Sequence, residues 1–270
     1  MNNLNIFFFK ITKRVFLKFI YLISFEHDTK YFGTPYGGWD FVDSESLYES
    51  EVISAGIGED VSFDILLIDR HKTRTIFIDP TPRAIVHMED IHSLLGNKNK
   101  VDFDMSTGKQ NPKAYDLRNV KMKNIRMIEK ALSDKTDEKV QFYLPKNPEH
   151  VSHSISNYQN NFIKDENYIE VVTTSIPTIV EQFKIKDIEL IKLDIEGAEI
   201  EVLKDMLNSK IFPNQILVEF DELTVNFIKP YFKASHVILK LLFNGYVLIS
   251  TDNFPNFLFA KKDFIKSRAE

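Results

Sequence analysis

The chain has no cysteine, which in one step excludes a disulfide scaffold, thiolate metal sites and cysteine catalysis. That absence leaves the compartment undecided. No apolar run is long enough to span a bilayer, and no internal repeat points to a solenoid or array. An excess of positive charge is lacking as well, with a net charge of -5 over 270 residues. The charge is unevenly placed, and a net positive balance occurs in two regions. Residues 1 to 25 carry +4 from Lys10, Lys13, Arg14 and Lys18, and residues 96 to 126 carry +5, so the remainder stands near -14. Phosphate affinity needs clustered positive charge, so this acidic body is a poor general nucleic-acid binder and no nucleic-acid partner is expected.

A hydrophobic fraction of 43% over 270 residues suffices for one large core, so one main domain with attachments is expected. The division is an amphipathic N-terminal helix or leader at 1–30 and a domain at 31–270 carrying a basic insertion at 96–124. Residues 1 to 25 are rich in Phe, Ile and Leu, but the four basic residues interrupt every run. At helical spacing these fall on one arc and leave Phe8, Ile11, Val15 and Leu22 on an apolar arc, a pattern able to lie on an anionic membrane surface. A secretory signal would instead place its basic residues before an uninterrupted apolar core. A terminal helix packed on the domain or on a partner chain fits the same pattern. The expected location is therefore cytoplasmic, either free or peripheral to the inner face of a membrane through residues 1–25. The oligomeric state is not legible.

Beyond the leader, strands are expected at 52–55, 75–78, 125–132, 140–144, 169–173, 188–193 and 215–220. Helices are expected at 61–68, 84–95, 176–183 and 237–243, and another after Gly197, where Ile200, Leu203 and Leu207 recur at helical spacing, with Pro82 suited to a first helical turn. Two final strands at 246–250 and 256–260 fit an antiparallel pair. Strands alternating with helices predict a doubly wound α/β sheet, mostly parallel, with helices on both faces. Residues 96–124 are polar and weakly periodic, the profile of a lid, a binding loop or disorder.

Several stretches carry chemistry-bearing residues. Ser54-Ala55-Gly56-Ile57-Gly58-Glu59-Asp60 is a glycine turn between the first of these strands and its helix, where a ligand can approach the backbone. It departs from the dinucleotide fingerprint, because the third glycine would fall at Val61. Glu59 and Asp60 would repel a pyrophosphate but tolerate a cationic or zwitterionic ligand. A nicotinamide-dependent oxidoreductase is thus a disfavoured alternative. Asp79 ends the next strand 21 residues beyond Gly58, where a carboxylate can accept hydrogen bonds from ribose hydroxyls; Asp79-Pro80-Thr81-Pro82 reads equally as a turn opening a helix. Asp194-Ile195-Glu196-Gly197 follows a strand at the edge where open parallel sheets bind ligands, although Glu196 and Glu199 would also favour a helix N-terminus. Tyr36-Gly37-Gly38-Trp39 is either a turn pinned by the single tryptophan or a ligand contact. His150 and His153 lie in a polar loop, solvated or acting in proton transfer. Asp194, Glu196 and Glu219 could hold a divalent cation only if they converge, which spacing does not show, and no metal is expected.

Together, Tyr36-Gly37-Gly38-Trp39, the run from Ser54 to Asp64, Ile78-Asp79-Pro80-Thr81-Pro82 and Leu193-Asp194-Ile195-Glu196-Gly197-Ala198-Glu199 resemble the FkbM family of S-adenosylmethionine-dependent methyltransferases. The likeness covers about residues 31–262. It implies the class I, Rossmann-like methyltransferase fold, a mostly parallel seven-stranded sheet ending in an antiparallel hairpin. It implies S-adenosyl-L-methionine as cofactor and O-methylation of a small-molecule or glycan acceptor, namely a sugar, glycan or glycolipid precursor. On this resemblance the Gly56, Gly58 and Asp60 turn, with Ser54 beside it, surrounds the methionine portion. Asp79 and Pro80 meet the ribose, and Ala131 and Leu132 the adenine. Asp194 and Glu196 face the methyl group or acceptor, and Asp194, Glu196 and His153 are the candidate bases. A non-catalytic module that keeps the fold to bind a partner or membrane is the alternative from another class.

Overall fold

Short strands flanked by amphipathic helices bury both their faces, which is why the strands Glu51–Ala55, Arg74–Ile78 and Leu190–Leu193 are buried along nearly their whole length rather than at every second residue. A computed structural model describes residues 3–143, 167–249 and 254–266 of the chain. It opens with α1 (Asn3–Ile23), β1 (Ser24–Phe25), β2 (Lys30–Phe32) and β3 (Trp39–Phe41). The alternating body follows as β4 (Glu51–Ala55), α2 (Ser62–His71), β5 (Arg74–Ile78), α3 (Pro82–Ser93) and β6 (Ile125–Ile128). Next come β7 (Ala131–Leu132), β8 (Lys139–Tyr143), β9 (Tyr168–Thr174), α4 (Ile176–Phe183), β10 (Leu190–Leu193) and α5 (Glu199–Asn208). The chain closes with β11 (Gln215–Glu219), α6 (Lys229–Phe243), β12 (Tyr246–Ile249), β13 (Asn256–Lys261) and α7 (Lys262–Lys266).

The main sheet runs in the order β1-β12-β13-β11-β10-β4-β5-β6. It has eight strands, not seven. The additional strand is β1, two residues that continue directly from α1 and pair parallel to β12 through Ser24 with Leu248 and Phe25 with Ile249. Only β13 runs against its neighbours β11 and β12, so the closing hairpin is as expected. The strand expected over 125–132 is broken. Ile125 to Ile128 stay in the main sheet, whereas Ala131 and Leu132 pair with β9 in a separate three-stranded sheet ordered β7-β9-β8.

One face of the main sheet packs Ile53, Ile191 and Ile216 against α4, α5 and α6. The other packs Val52, Leu190 and Phe77 against α2, α3 and the segment around Trp39. Trp39 itself is buried in β3 and pins this stretch to the core, whereas Tyr36 and Gly37 line a cleft. α1 joins the first face: Phe16 is 3% exposed, Phe9, Phe19, Ile20 and Ile23 pack beside it, and Phe9 and Phe16 meet the Tyr231 ring edge-on at 5.8 and 5.3 Å. Burying a phenylalanine such as Phe16 stabilises by about 2 kcal/mol. The helix nevertheless leaves Phe8, Ile11, Val15 and Leu22 exposed. No helix among the described residues is long and apolar enough to cross a membrane.

The basic insertion at 96–124 has no α-helix or strand, only 3-10 turns at Pro112–Ala114 and Met122–Asn124, yet it is packed down on the domain. Tyr115, Leu117 and Val120 are buried against α2 and α3. Backbone bonds from Gly96 to Leu117 and from Lys100 to Lys113 cross-tie it, and the Asn124 side chain donates to the carbonyls of Lys72 and Thr73. Three apolar side chains in a polar run are enough to hold a strap down.

Candidate active site

Parallel register sets the strand ends level: Ala55 pairs with Leu193 and Ile78, and Leu193 pairs with Val218. The turns that leave β4, β5, β10 and β11 therefore emerge at one edge, the carboxyl edge of the sheet. They line a cleft of about 560 Å³. Its wall takes Gly56 to Asp60, Asp79 to Thr81, Ala131, Leu132 and Phe142 on one side and Lys192, Asp194 to Glu196, Glu219, Asp221, Thr224 and Val225 on the other.

The glycine turn fits only as glycine at one point. Gly56 has φ +72°, and a Cβ there would lie 1.5 Å from the Asp194 carbonyl oxygen. Backbone of the β4 turn thus rests directly on backbone of the β10 turn. Asp79 holds the same turn from the other side. Its Oδ2 accepts the N–H groups of Ile57 and Gly58, both at 3.1 Å, and its Oδ1 accepts the Thr81 N–H at 2.8 Å and the Thr81 hydroxyl at 2.6 Å. Those four bonds use the acceptor positions of the carboxylate. Asp79 thus acts as the turn that opens α3, and it lines the cleft.

Asp60 is similarly engaged. It accepts the Thr34 hydroxyl at 2.6 Å and the Ser62 N–H at 2.9 Å, which ties the start of α2 to the loop holding Tyr36 and Gly37. The Tyr36 ring lies over Gly108, where a Cβ would come within 2.1 Å of it. The early aromatic loop and the basic strap thereby meet at the cleft, and Gln110 adds a backbone bond to the Glu59 carbonyl at 2.9 Å. Glu59 itself pairs with Arg83, and with Lys109 at 4.0 Å.

The opposite side is a crowd of carboxylates. Asp194, Glu196 and Asp221 each bring an oxygen within 4.8 Å of the others. Glu196 reaches this position with a left-handed φ of +58°, because the strand ends at Leu193 and the chain must double back. Glu199 organises the corner from behind: fully buried, it accepts the N–H of Ile195 at 2.8 Å and of Gly197 at 2.9 Å. The functional and the helix-supporting readings of this stretch are thus divided between Glu196, which lines the cleft, and Glu199, which does not. Burial and then the charge of Glu219 push the Asp194 carboxyl well above the usual range. Burial and then Glu196 do the same for Asp221. Glu219 is pushed up to about 7 by burial and Glu196, against the pull of Lys192. Lys192 is the one cation lining the cleft among the described residues, and its Nζ lies 3.9 Å from buried Asp64 beneath. The Asp194, Glu196 and Asp221 trio has the ligand chemistry to hold a divalent cation, with Asp221 taking the place that spacing alone suggested for Glu219.

The Methyltransferase FkbM domain family matches residues 4–248. The chain belongs to the FkbM methyltransferase family. No curated protein and no solved structure matches it. The match sets aside the nicotinamide-dependent oxidoreductase alternative and runs from within α1 to β12.

Of the residues expected at the site of this FkbM methyltransferase, Gly56, Gly58, Asp60, Asp79, Pro80, Ala131, Leu132, Asp194 and Glu196 all line the cleft. Ser54 does not. It is fully buried within β4, its hydroxyl close enough to Asp64 to temper the rise that burial imposes on that carboxyl. Ser54 lies inside β4, and its side chain meets Asp64 of α2 beneath the cleft rather than the turn above the strand end. His150 and His153 lie outside the described residues. Lys192, Asp221, Thr224 and Gly108 line the cleft without having been anticipated. A lysine inside the apolar run from Ile188 to Leu193 was the available signal for Lys192. Asp221 had a weaker one, an acidic pair following a strand end.

Proposed function

We propose that this FkbM methyltransferase uses S-adenosylmethionine to methylate a hydroxyl of a sugar, glycan or glycolipid precursor, on a class I, Rossmann-like methyltransferase fold. The observation that carries the reading is that one cleft joins the glycine turn to the crowded acidic corner. The residues fit the cofactor in three respects. A volume of about 560 Å³ lies in the range of small-molecule sites. Ala131, Leu132 and Phe142 offer a purine an apolar wall. Glu59, Asp60, Asp79, Asp194, Glu196, Glu219 and Asp221 outnumber Lys192 around the cleft, which favours a ligand bearing sulfonium and ammonium charges.

When bound, S-adenosylmethionine supplies an electrophilic methyl group on its sulfonium. The chain's part is alignment and proton removal. The Gly56 to Asp60 turn lets the methionine portion approach the backbone, and Asp79 keeps that turn in shape through the Ile57 and Gly58 amides. The acidic corner receives the acceptor. Holding the acceptor oxygen in line with the methyl group supplies much of the acceleration, and a carboxylate near pH 7 is suited to take the hydroxyl proton. Glu219, at about 7, has that character, and Asp194 and Glu196 share the same cluster.

Calorimetry with S-adenosylmethionine and label transfer to fractionated cell glycans and lipids test the reading. Asp79→Ala leaves the Ile57, Gly58 and Thr81 donors without an acceptor, and donor affinity falls at least about tenfold. Asp194→Asn keeps donor binding and loses transfer by about 100-fold or more. The reading fails if no donor binds, or if Asp194→Asn and Glu219→Gln both transfer at the wild-type rate. Binding without transfer to any fraction leaves a non-catalytic module instead.

A further inference from the structure

We propose that the open face of α1 is a docking surface for an anionic lipid bilayer. α1 has three arcs. Phe9, Phe16, Phe19, Ile20 and Ile23 pack on the domain, so the helix is fixed and its own core requirement is met. Yet Phe8, Ile11, Val15 and Leu22 remain 50%, 43%, 62% and 70% exposed. At 100° per residue these four share one narrow arc. Lys10, Arg14 and Lys18, four residues apart, line the arc beside it, and α1 contains no acidic residue. Lys13 turns inward instead, over the Phe254 ring at 5.6 Å.

Apolar side chains next to an unopposed basic row are the makeup of a helix lying in the headgroup plane. Charge identifies the occupant. Outside this helix and the basic strap the chain is near -14 and is repelled by anionic lipid, and of the two basic regions α1 is the one that sets a row of exposed apolar side chains beside its basic row. A second copy docked through the same face would set Lys10, Arg14 and Lys18 against their own equivalents, since a two-fold interface joins identical patches.

The docking helix also reaches the rim of the cleft. Phe9 and Phe16 rest on Tyr231, whose hydroxyl donates to the Leu223 carbonyl at 2.9 Å, and Thr224 and Val225, which follow, line the cleft. A molecule seated on α1 would therefore hold its cleft close to the bilayer. The consequence that the acceptor hydroxyl is carried on a lipid rests on the methyl-transfer reading; the docking itself does not.

The test is co-sedimentation of the full chain with vesicles of phosphatidylcholine alone or mixed with phosphatidylglycerol, alongside light scattering without lipid. We expect binding to the mixed vesicles only, weakened by salt, and reduced at least about tenfold both in Val15→Ser/Leu22→Ser and in Arg14→Glu/Lys18→Glu. All four side chains are exposed, so an unchanged melting temperature verifies the fold. No sedimentation with mixed vesicles, or sedimentation unchanged in both variants, overturns the proposal. So does a dimer in lipid-free solution that the same variants dissolve. Donor calorimetry on these variants is expected to match wild type, so failure of donor binding would sink the methyl-transfer reading and leave the docking result standing.

Discussion

The two sides of the cleft use the same residue types in opposite ways. On the glycine-turn side, Asp79 accepts four hydrogen bonds, Asp60 accepts two, and Glu59 faces Arg83 and Lys109. Each negative charge is spent on fixing a loop. On the acidic side, Asp194, Glu196, Glu219 and Asp221 mostly face one another, and Asp221 Oδ2 is buried with no hydrogen-bond partner. Satisfied carboxylates hold a shape, whereas the crowded Asp194, Glu219 and Asp221 hold their protons more tightly and respond to whatever binds. The lesson is that a carboxylate's role here follows from what its oxygens already touch, and not from its position at a strand end.

That contrast can be broken first at the point where the two sides touch. Gly56→Ala drives a methyl group into the Asp194 carbonyl and forces a left-handed residue; the expected cost is about 4 kcal/mol or more. Denaturant unfolding measures it, and a loss under about 1 kcal/mol would show that the two turns can separate. A medium effect comes from the crowding. A carboxyl raised to about 7 in the folded chain against about 4.3 unfolded binds more protons when folded. Stability from Glu219 is therefore complete below the unfolded value and is lost as pH rises from about 4.5 to 7, by an amount of order 2 kcal/mol. Denaturation midpoints at pH 5 and pH 8 check this, and Glu219→Gln should flatten the difference. A stability that rises over that interval would mean the cluster is compensated. The smallest effect belongs to the satisfied side: Arg83→Ala removes a partly exposed partner of Glu59 and is expected to cost under about 1 kcal/mol in melting measurements.

Local patterns were legible because they depend on neighbours in sequence. The glycine turn, Asp79 after its strand, the Asp194 and Glu196 corner and the closing hairpin all follow from runs of a few residues. Asp221 and Lys192 depended on register: only the pairing of Leu193 with both Ala55 and Val218 sets their strand ends beside the glycine turn. Tyr36 and Gly108 meet across 72 residues of chain, which no local pattern encodes. The helical wheel of α1 revealed its basic and apolar arcs but not that Phe16 and its neighbours form a third, since packed and membrane-facing apolar residues look alike in sequence. β1 has two residues and no periodicity to detect. The strap's polar composition hid the anchoring role of Tyr115, Leu117 and Val120, whose burial depends on the α2 and α3 surface beneath them.

The contact between Gly56 and the Asp194 carbonyl also bears on how such a protein can diversify. With the two turns joined backbone to backbone, neither can be reshaped without moving the other, so this junction is a fixed point under mutation. Variation in acceptor choice is left to parts that meet the cleft from outside it: the Tyr36 loop, the strap at Gly108 and the stretch from Asp221 to Val225. Each belongs to a surface connection, where insertions and exchanges are tolerated best.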